Sequence, residues 1–127
     1  MQSSGYSFED LELYKAAREY RQKIYQLVSK LPPAEKFVLN PQMRRAALSL
    51  TNNIAEGHGR YHYQENIQFL RHSRGSLEEL IDDLNVCLDE QYAAWDEVEK
   101  LKIESYDLLK KLNGYTAYLR KRKSEEG

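Results

Sequence analysis

The sequence has few of the residues that break helices and almost none that cross-link chains. Three prolines and six glycines in 127 residues are too few for a turn-rich all-β protein. A single cysteine, Cys87, has no partner in its own chain. This excludes an internal disulfide framework and a zinc site built on cysteines, and it points to a reducing cytoplasm. No apolar run approaches the roughly 20 residues that span a bilayer, so no membrane partner is expected. Met1 to Ser7 also lacks the apolar centre of a signal peptide. A charge of one sign is missing too, because 19 Lys and Arg stand against 20 Asp and Glu for a formal net charge of -1. That balance removes the bulk cationic field of a protein that coats nucleic acid by charge alone, so any such contact has to come from a local patch. The length suits one domain, expected over residues 8–122, with 1–7 and 123–127 frayed.

What remains favours helix. Long stretches of Leu, Glu, Lys, Arg, Ala and Gln are strong helix formers, and the punctuation cuts the chain into four long pieces. Ser7 can cap the first helix while Asp10 reaches back to it, and Pro32-Pro33 stops it. On a helical wheel Leu13, Ala17, Tyr20, Ile24 and Leu27 share one arc, while Leu11, Tyr14 and Tyr25 make a second facet. Asn40-Pro41 suits the start of a second helix that ends at Gly57, with Gly57-His58-Gly59 as stop and turn. A third helix is expected over 61–92 and a fourth from 94–96 to 122. Short links between four amphipathic helices predict an all-α, antiparallel up-down-up-down four-helix bundle. Trp95, Ile103 and Tyr106 lie away from the buried stripe of the fourth helix. Together with Leu11, Tyr14 and Tyr25 they are more apolar surface than one bundle hides, and they are the candidate contacts of a homo-oligomer.

The second helix carries the most unusual pattern. Gln42, Arg45, Ser49, Asn53 and Glu56 project into an arc of about 80° that borders the apolar stripe. Unpaired polar groups cost about 1–3 kcal/mol when buried, and Ser76, Glu79 and Asp83 of the third helix are possible partners. The row reads either as a buried hydrogen-bond network that sets helix register or as a ligand or partner site. Gly75 and Gly114 interrupt helical patterns, each costing about 1 kcal/mol relative to Ala, which close approach of a neighbouring helix would offset.

Catalytic chemistry finds little support. A di-metal bundle site needs Glu-x-x-His on two helices, and that spacing never occurs. His58 and His62 straddle a turn, and Cys87 lies on an apolar arc as an inert core thiol. No catalytic residue, cofactor or metal is expected. Charge is uneven, however. Counting along the chain, Lys36 to Gly75 holds six Lys or Arg against two Asp or Glu, while Ser76 to Asp107 holds two against eleven. Arg44, Arg45, Arg60, Arg71 and Arg74, with Tyr61 and Tyr63 nearby, are therefore the candidate nucleic-acid contacts at the junction of the second and third helices. The same cluster also reads as a solvated face or an intersubunit salt-bridge surface. Arg120 to Lys123 forms a second cationic spot, which suits a helix C-terminus.

Several separated motifs occur in a familiar order. Phe8-Glu9-Asp10-Leu11, then Gln42 to Ser49 running into Asn53-Ile54-Ala55-Glu56-Gly57, then Phe69-Leu70 and Gly75-Ser76-Leu77-Glu78-Glu79-Leu80 resemble the four-helix-bundle proteins encoded by intervening sequences of bacterial large-subunit ribosomal RNA genes. The resemblance covers about residues 8 to 120. That family is in turn similar to the accessory proteins of diversity-generating retroelements, which form homopentamers and bind a reverse transcriptase and nucleic acid. The resemblance implies an up-down bundle in a ring of five without enzymatic activity, with RNA, DNA or a reverse transcriptase as partner. Gln42, Arg45, Ser49, Asn53, Glu56, Gly75, Ser76 and Glu79 match its characteristic positions.

Overall fold

The computed structural model describes residues 7–126. Four helices account for most of it: α1 (Glu12–Val28), α2 (Leu39–His58), α3 (Tyr63–Asp89) and α4 (Trp95–Glu126). Each packs on the next in sequence, and α4 closes back on α1. Short links between long helices leave only this antiparallel up-down order, so the all-α bundle expected from the sequence is the fold.

The apolar stripes meet in one continuous core. Tyr20, Ile24, Leu50, Leu77, Leu84 and Leu112 are almost completely buried, and each such side chain contributes about 1.5–3 kcal/mol by leaving water. A polar pair is enclosed among them. The Tyr20 hydroxyl lies 2.6 Å from Ser105 Oγ, and Ser105 Oγ donates to the Leu101 carbonyl at 2.7 Å, so Tyr20 is the donor in the first bond. Burial pushes the Tyr20 phenol well above its ordinary range, which keeps it protonated and donating.

The helix ends differ from the sequence expectation in instructive ways. Ser7 and Asp10 do form a reciprocal capping box, with Ser7 N donating to Asp10 Oδ2 at 2.7 Å and Glu9 N to Ser7 Oγ at 3.1 Å. It closes only a 3-10 turn, Phe8–Asp10. Leu11 then adopts extended backbone, and α1 begins after it at Glu12. Residues 1–6 and 127 of the expected frayed ends lie outside the described residues. Asn40 does not cap α2, which starts one residue earlier without a side-chain cap. Glu35 Oε1 accepts from Leu39 N at 3.3 Å in its place, while Asn40 Oδ1 accepts from Arg44 Nε at 3.1 Å. Glu35 also accepts from the Tyr92 hydroxyl at 2.7 Å, tying the α1–α2 link to the α3–α4 turn. That turn ends α3 three residues before the expected Tyr92, and Gln91 in it has a left-handed φ of 58°. The expectation that 123–127 frays is corrected over 123–126. α4 stays helical through Glu126, because Lys123 donates to Gln64 and Glu126 accepts from the Tyr63 hydroxyl at the head of α3.

Candidate nucleic-acid interface

The polar row of α2 meets α3 largely as a hydrogen-bond network. Gln42 Nε2 donates to Asp83 Oδ1 at 2.7 Å, and Ser76 Oγ donates to Ser49 Oγ at 3.0 Å. Asn53 Nδ2 donates to the Ser49 carbonyl and Oγ at 2.8 and 3.0 Å. One turn away, Ser73 Oγ donates to the Leu50 carbonyl at 2.8 Å, joining the two helices through side chain and backbone. Of the three α3 partners expected for the row, Ser76 and Asp83 supply bonds. Glu79 is exposed and acts on the row only through its charge, which helps to raise the Asp83 carboxyl. Two members of the row, Arg45 and Glu56, are exposed as well.

Asp83 is the anomaly of this interface. Only 2% of it is exposed, and its Oδ2 has no hydrogen-bond partner. Burial pushes its carboxyl up to about 6, against the lowering effect of the Gln42 bond and the more distant Arg45 charge. A second orphaned oxygen, Asn66 Oδ1, lies beside Gly57 of α2. A Cβ on Gly57 would stand 2.6 Å from it, 3.0 Å from Phe69 Cβ and 3.2 Å from the Asn66 carbonyl. Gly57 is therefore a buried contact point inside α2 and not simply its stop. The helix continues to His58, with Gly59 capping in ordinary right-handed geometry.

The five arginines expected to share one site are spread over four places, with Arg45 in the α2 row, where its charge acts on Asp83. Arg44 is at the start of α2, its guanidinium 5.1 Å from the centroid of the Tyr25 ring of α1, and about 21 Å of helix up to His58 separates it from Arg60. Arg60 bridges Glu56 at 3.0 Å and covers the Phe69 ring at 4.8 Å. Arg71 and Arg74 turn the other way, towards α4. There they meet the second cationic spot, so two patches that look separate in the sequence become one.

Two adjoining cavities run along this α3–α4 groove. One, of about 420 Å³, is walled by Arg71, Arg74, Gly75, Glu78, Asn113, Thr116 and Arg120. The next, of about 520 Å³, is walled by Gln64, Ile67, Arg71, Arg120, Lys123 and Ser124. Arg71 and Arg120 belong to both. Among the described residues neither has a carboxylate within 4.0 Å, and Arg74 reaches Glu78 only at 4.0 Å. Beyond Lys123 a further hollow is lined by Tyr61, His62, Tyr63, Gln64 and Glu126. No periodicity within one helix reveals this convergence, because it depends on the register between two. The expected role of Gly75 and Gly114 is corrected here. A Cβ at either would meet nothing within 4 Å, so no close helix approach requires them.

The candidate oligomer contacts divide between the two helices. Leu11, Tyr14 and Tyr25 are half-buried against the bundle's own core. Tyr14 meets Phe8 edge to face with centroids 4.9 Å apart. The 3-10 turn and Arg44 cover this facet within one chain. Trp95, Ile103 and Tyr106 on α4 stay 68%, 61% and 54% exposed. Phe37, Val38 and Tyr118 are exposed too, although nothing in their helical spacing set them apart.

Among the described residues no cluster of three or more His, Cys, Asp or Glu is placed to hold a metal, and no helix is long and apolar enough to cross a membrane. Burial pushes the Cys87 thiol up to about 11, the reverse of what a nucleophile needs.

With this geometry in place, the comparisons give the chain a context. The family model described as 23S rRNA-intervening sequence protein matches residues 9–114. Among solved structures, a protein with unknown function from the S23 ribosomal protein family of Bacteroides thetaiotaomicron superimposes with a TM-score of 0.76 at 20% sequence identity. The match covers 82% of this chain and 97% of that one. No curated protein matches.

Proposed function

This chain belongs to the 23S rRNA-intervening sequence protein family, and on that premise we propose that it is a non-enzymatic, homo-oligomeric helical-bundle adaptor that engages RNA. The observation that carries the reading is the α3–α4 groove, where Arg71, Arg74, Arg120 and Lys123 line two cavities whose walls hold a single carboxylate, Glu78. Such a groove is a local patch of the kind a near-neutral protein needs for phosphate contact. Self-assembly is supported by the α4 stripe of Trp95, Ile103 and Tyr106, which spans about 17 Å of helix and is too exposed to serve the monomer's core. Five copies is the number the family resemblance implies.

Sedimentation velocity and salt-dependent RNA binding test the two halves separately. The expected result is an assembly at micromolar concentration that dissociates on Trp95→Lys with Tyr106→Lys, and an RNA affinity that falls with salt. A strictly monomeric wild-type protein would remove the assembly, and the absence of RNA binding would remove the partner. Pull-down after nuclease treatment addresses the alternative that the family resemblance implies. A reverse transcriptase retained without RNA would make the protein an accessory subunit acting by protein contact.

A further inference from the structure

We infer that the α3–α4 groove is a track for single-stranded nucleic acid, with phosphates seated between Arg71 and Arg120 beside Gly75 and a base stacked on Tyr61. The inference rests on the RNA reading above and gives it a strand type and a site.

Charge is the first argument. Arg71 of α3 and Arg120 of α4 are common walls of two adjoining cavities, and among the described residues no carboxylate lies within 4.0 Å of either. The remaining cations are barely neutralised, since Arg74 reaches Glu78 at 4.0 Å and Lys123 is held by the neutral Gln64. Like charges collected across a helix seam oppose its closure. A phosphate between them reverses the sign of that interaction, and the planar guanidinium fork matches its oxygens.

The glycine is independent of the charge. Gly75 sits inside α3, where it costs about 1 kcal/mol relative to Ala, yet a Cβ there would meet nothing within 4 Å. No packed helix accounts for it. It walls the same cavity as Arg71 and Arg74, and the missing side chain leaves room beside the cations.

Length and aromatic placement select the ligand. From Gln64 to Glu78 the groove follows about 21 Å of α3, whereas a nucleic-acid strand carries a charge about every 3.4 Å along a duplex axis. The track therefore exceeds a lone phosphate and suits several nucleotides. At its Lys123 end lies the hollow lined by Tyr61, His62 and Tyr63, whose one carboxylate, Glu126, is bridged by Arg122 at 2.9 Å. Tyr61 is 92% exposed, with the His62 ring edge to face at 4.9 Å. A cationic groove that ends in an open ring is the combination that holds unpaired bases, because a base inside a duplex has no free face to stack.

The test is fluorescence anisotropy on the full chain with a labelled ten-nucleotide RNA, the same sequence as a duplex, and inorganic tripolyphosphate as competitor. The single strand is expected to bind at least tenfold more tightly than the duplex. Arg71→Gln with Arg120→Gln should weaken it at least tenfold and lower the salt slope by about 1 to 2. Tyr61→Ala should weaken the single strand by about five- to a hundredfold. Gly75→Leu should weaken binding while the thermal midpoint stays at or above wild type, a split that a merely structural glycine would not produce. Equal affinity for duplex, wild-type affinity in the double arginine variant, or complete displacement by tripolyphosphate with no effect of Tyr61→Ala would each overturn the track while leaving an RNA-binding adaptor in place. If the wild-type protein binds no RNA, both readings fall.

Discussion

The two seams that α3 makes with its neighbours use small and polar residues to opposite ends. Towards α2, a glycine, two serines, an amide and a carboxylate are drawn into close contact. Gly57 leaves no room for a methyl group, Ser73 and Ser76 bond across the seam, and Gln42 holds Asp83. Towards α4, Gly75 has open space beside it and Arg71 faces a cavity with no carboxylate in reach. Polar residues on a helix therefore do not reveal their use by type or periodicity. What separates the two seams is burial and bonding: towards α2 the polar groups are buried and bonded within the chain except for Asp83 Oδ2 and Asn66 Oδ1, whereas towards α4 the cations line open cavities with little carboxylate to neutralise them.

The contrast can be broken first at its tightest point. Gly57→Val drives a branched side chain into Phe69 Cβ and the Asn66 carbonyl and should cost about 3 kcal/mol or more, read as a lower urea midpoint with an unchanged m-value. The next effect has the opposite sign and depends on pH. Burial raises the Asp83 carboxyl from its ordinary 3.8 to about 6, so the folded state binds this proton more tightly than the unfolded state. The associated stability is fully present below pH 4 and is lost as pH rises through 6. Asp83→Asn keeps an acceptor for Gln42 without the buried charge. It should be about 2 kcal/mol more stable than wild type at pH 7.5, with the difference vanishing near pH 4, as followed by thermal melts across that range.

On the open seam a glycine should behave in reverse. Gly75→Ala is expected to raise stability by about 0.5–1 kcal/mol, since the methyl group meets nothing and the helix gains. If the two glycines respond alike, the distinction between the seams fails. The smallest effect belongs to α1 and α4, joined at the surface by Lys23–Glu104 at 2.9 Å and Lys30–Glu97 at 2.7 Å. Glu97→Gln should change the unfolding free energy, followed by the denaturant midpoint, by no more than about 0.5 kcal/mol, with the difference shrinking as salt is added.

The sequence carries the fold and one of the two seams. Amphipathic spacing finds the core because burial follows the helical period, and the α2 row is visible because its five members share one arc. The bonds from Gln42 to Asp83 and from Ser76 to Ser49 follow once α2 and α3 are neighbours. The α3–α4 groove is not visible in this way. Arg71 and Arg120 are 49 positions apart, by subtraction of their numbers, and only the sliding register of two helices brings them to one cavity. Helical periodicity also says little about the ends. The Ser7 box is correct as a motif, yet it closes a 3-10 turn, because Leu11 takes extended backbone before α1 begins. The apolar facet on α1 was a real pattern too, but Phe8 and Arg44 cover it from within the chain.

The long α4 has a practical corollary. Its last turn is clasped by the head of α3 through Tyr63 and Gln64, beside the mouth of the cationic groove. An affinity handle or fluorophore attached just past that clasp would hang over the groove and compete with whatever enters it. A discrepancy between assays with and without such an attachment would itself map the entrance.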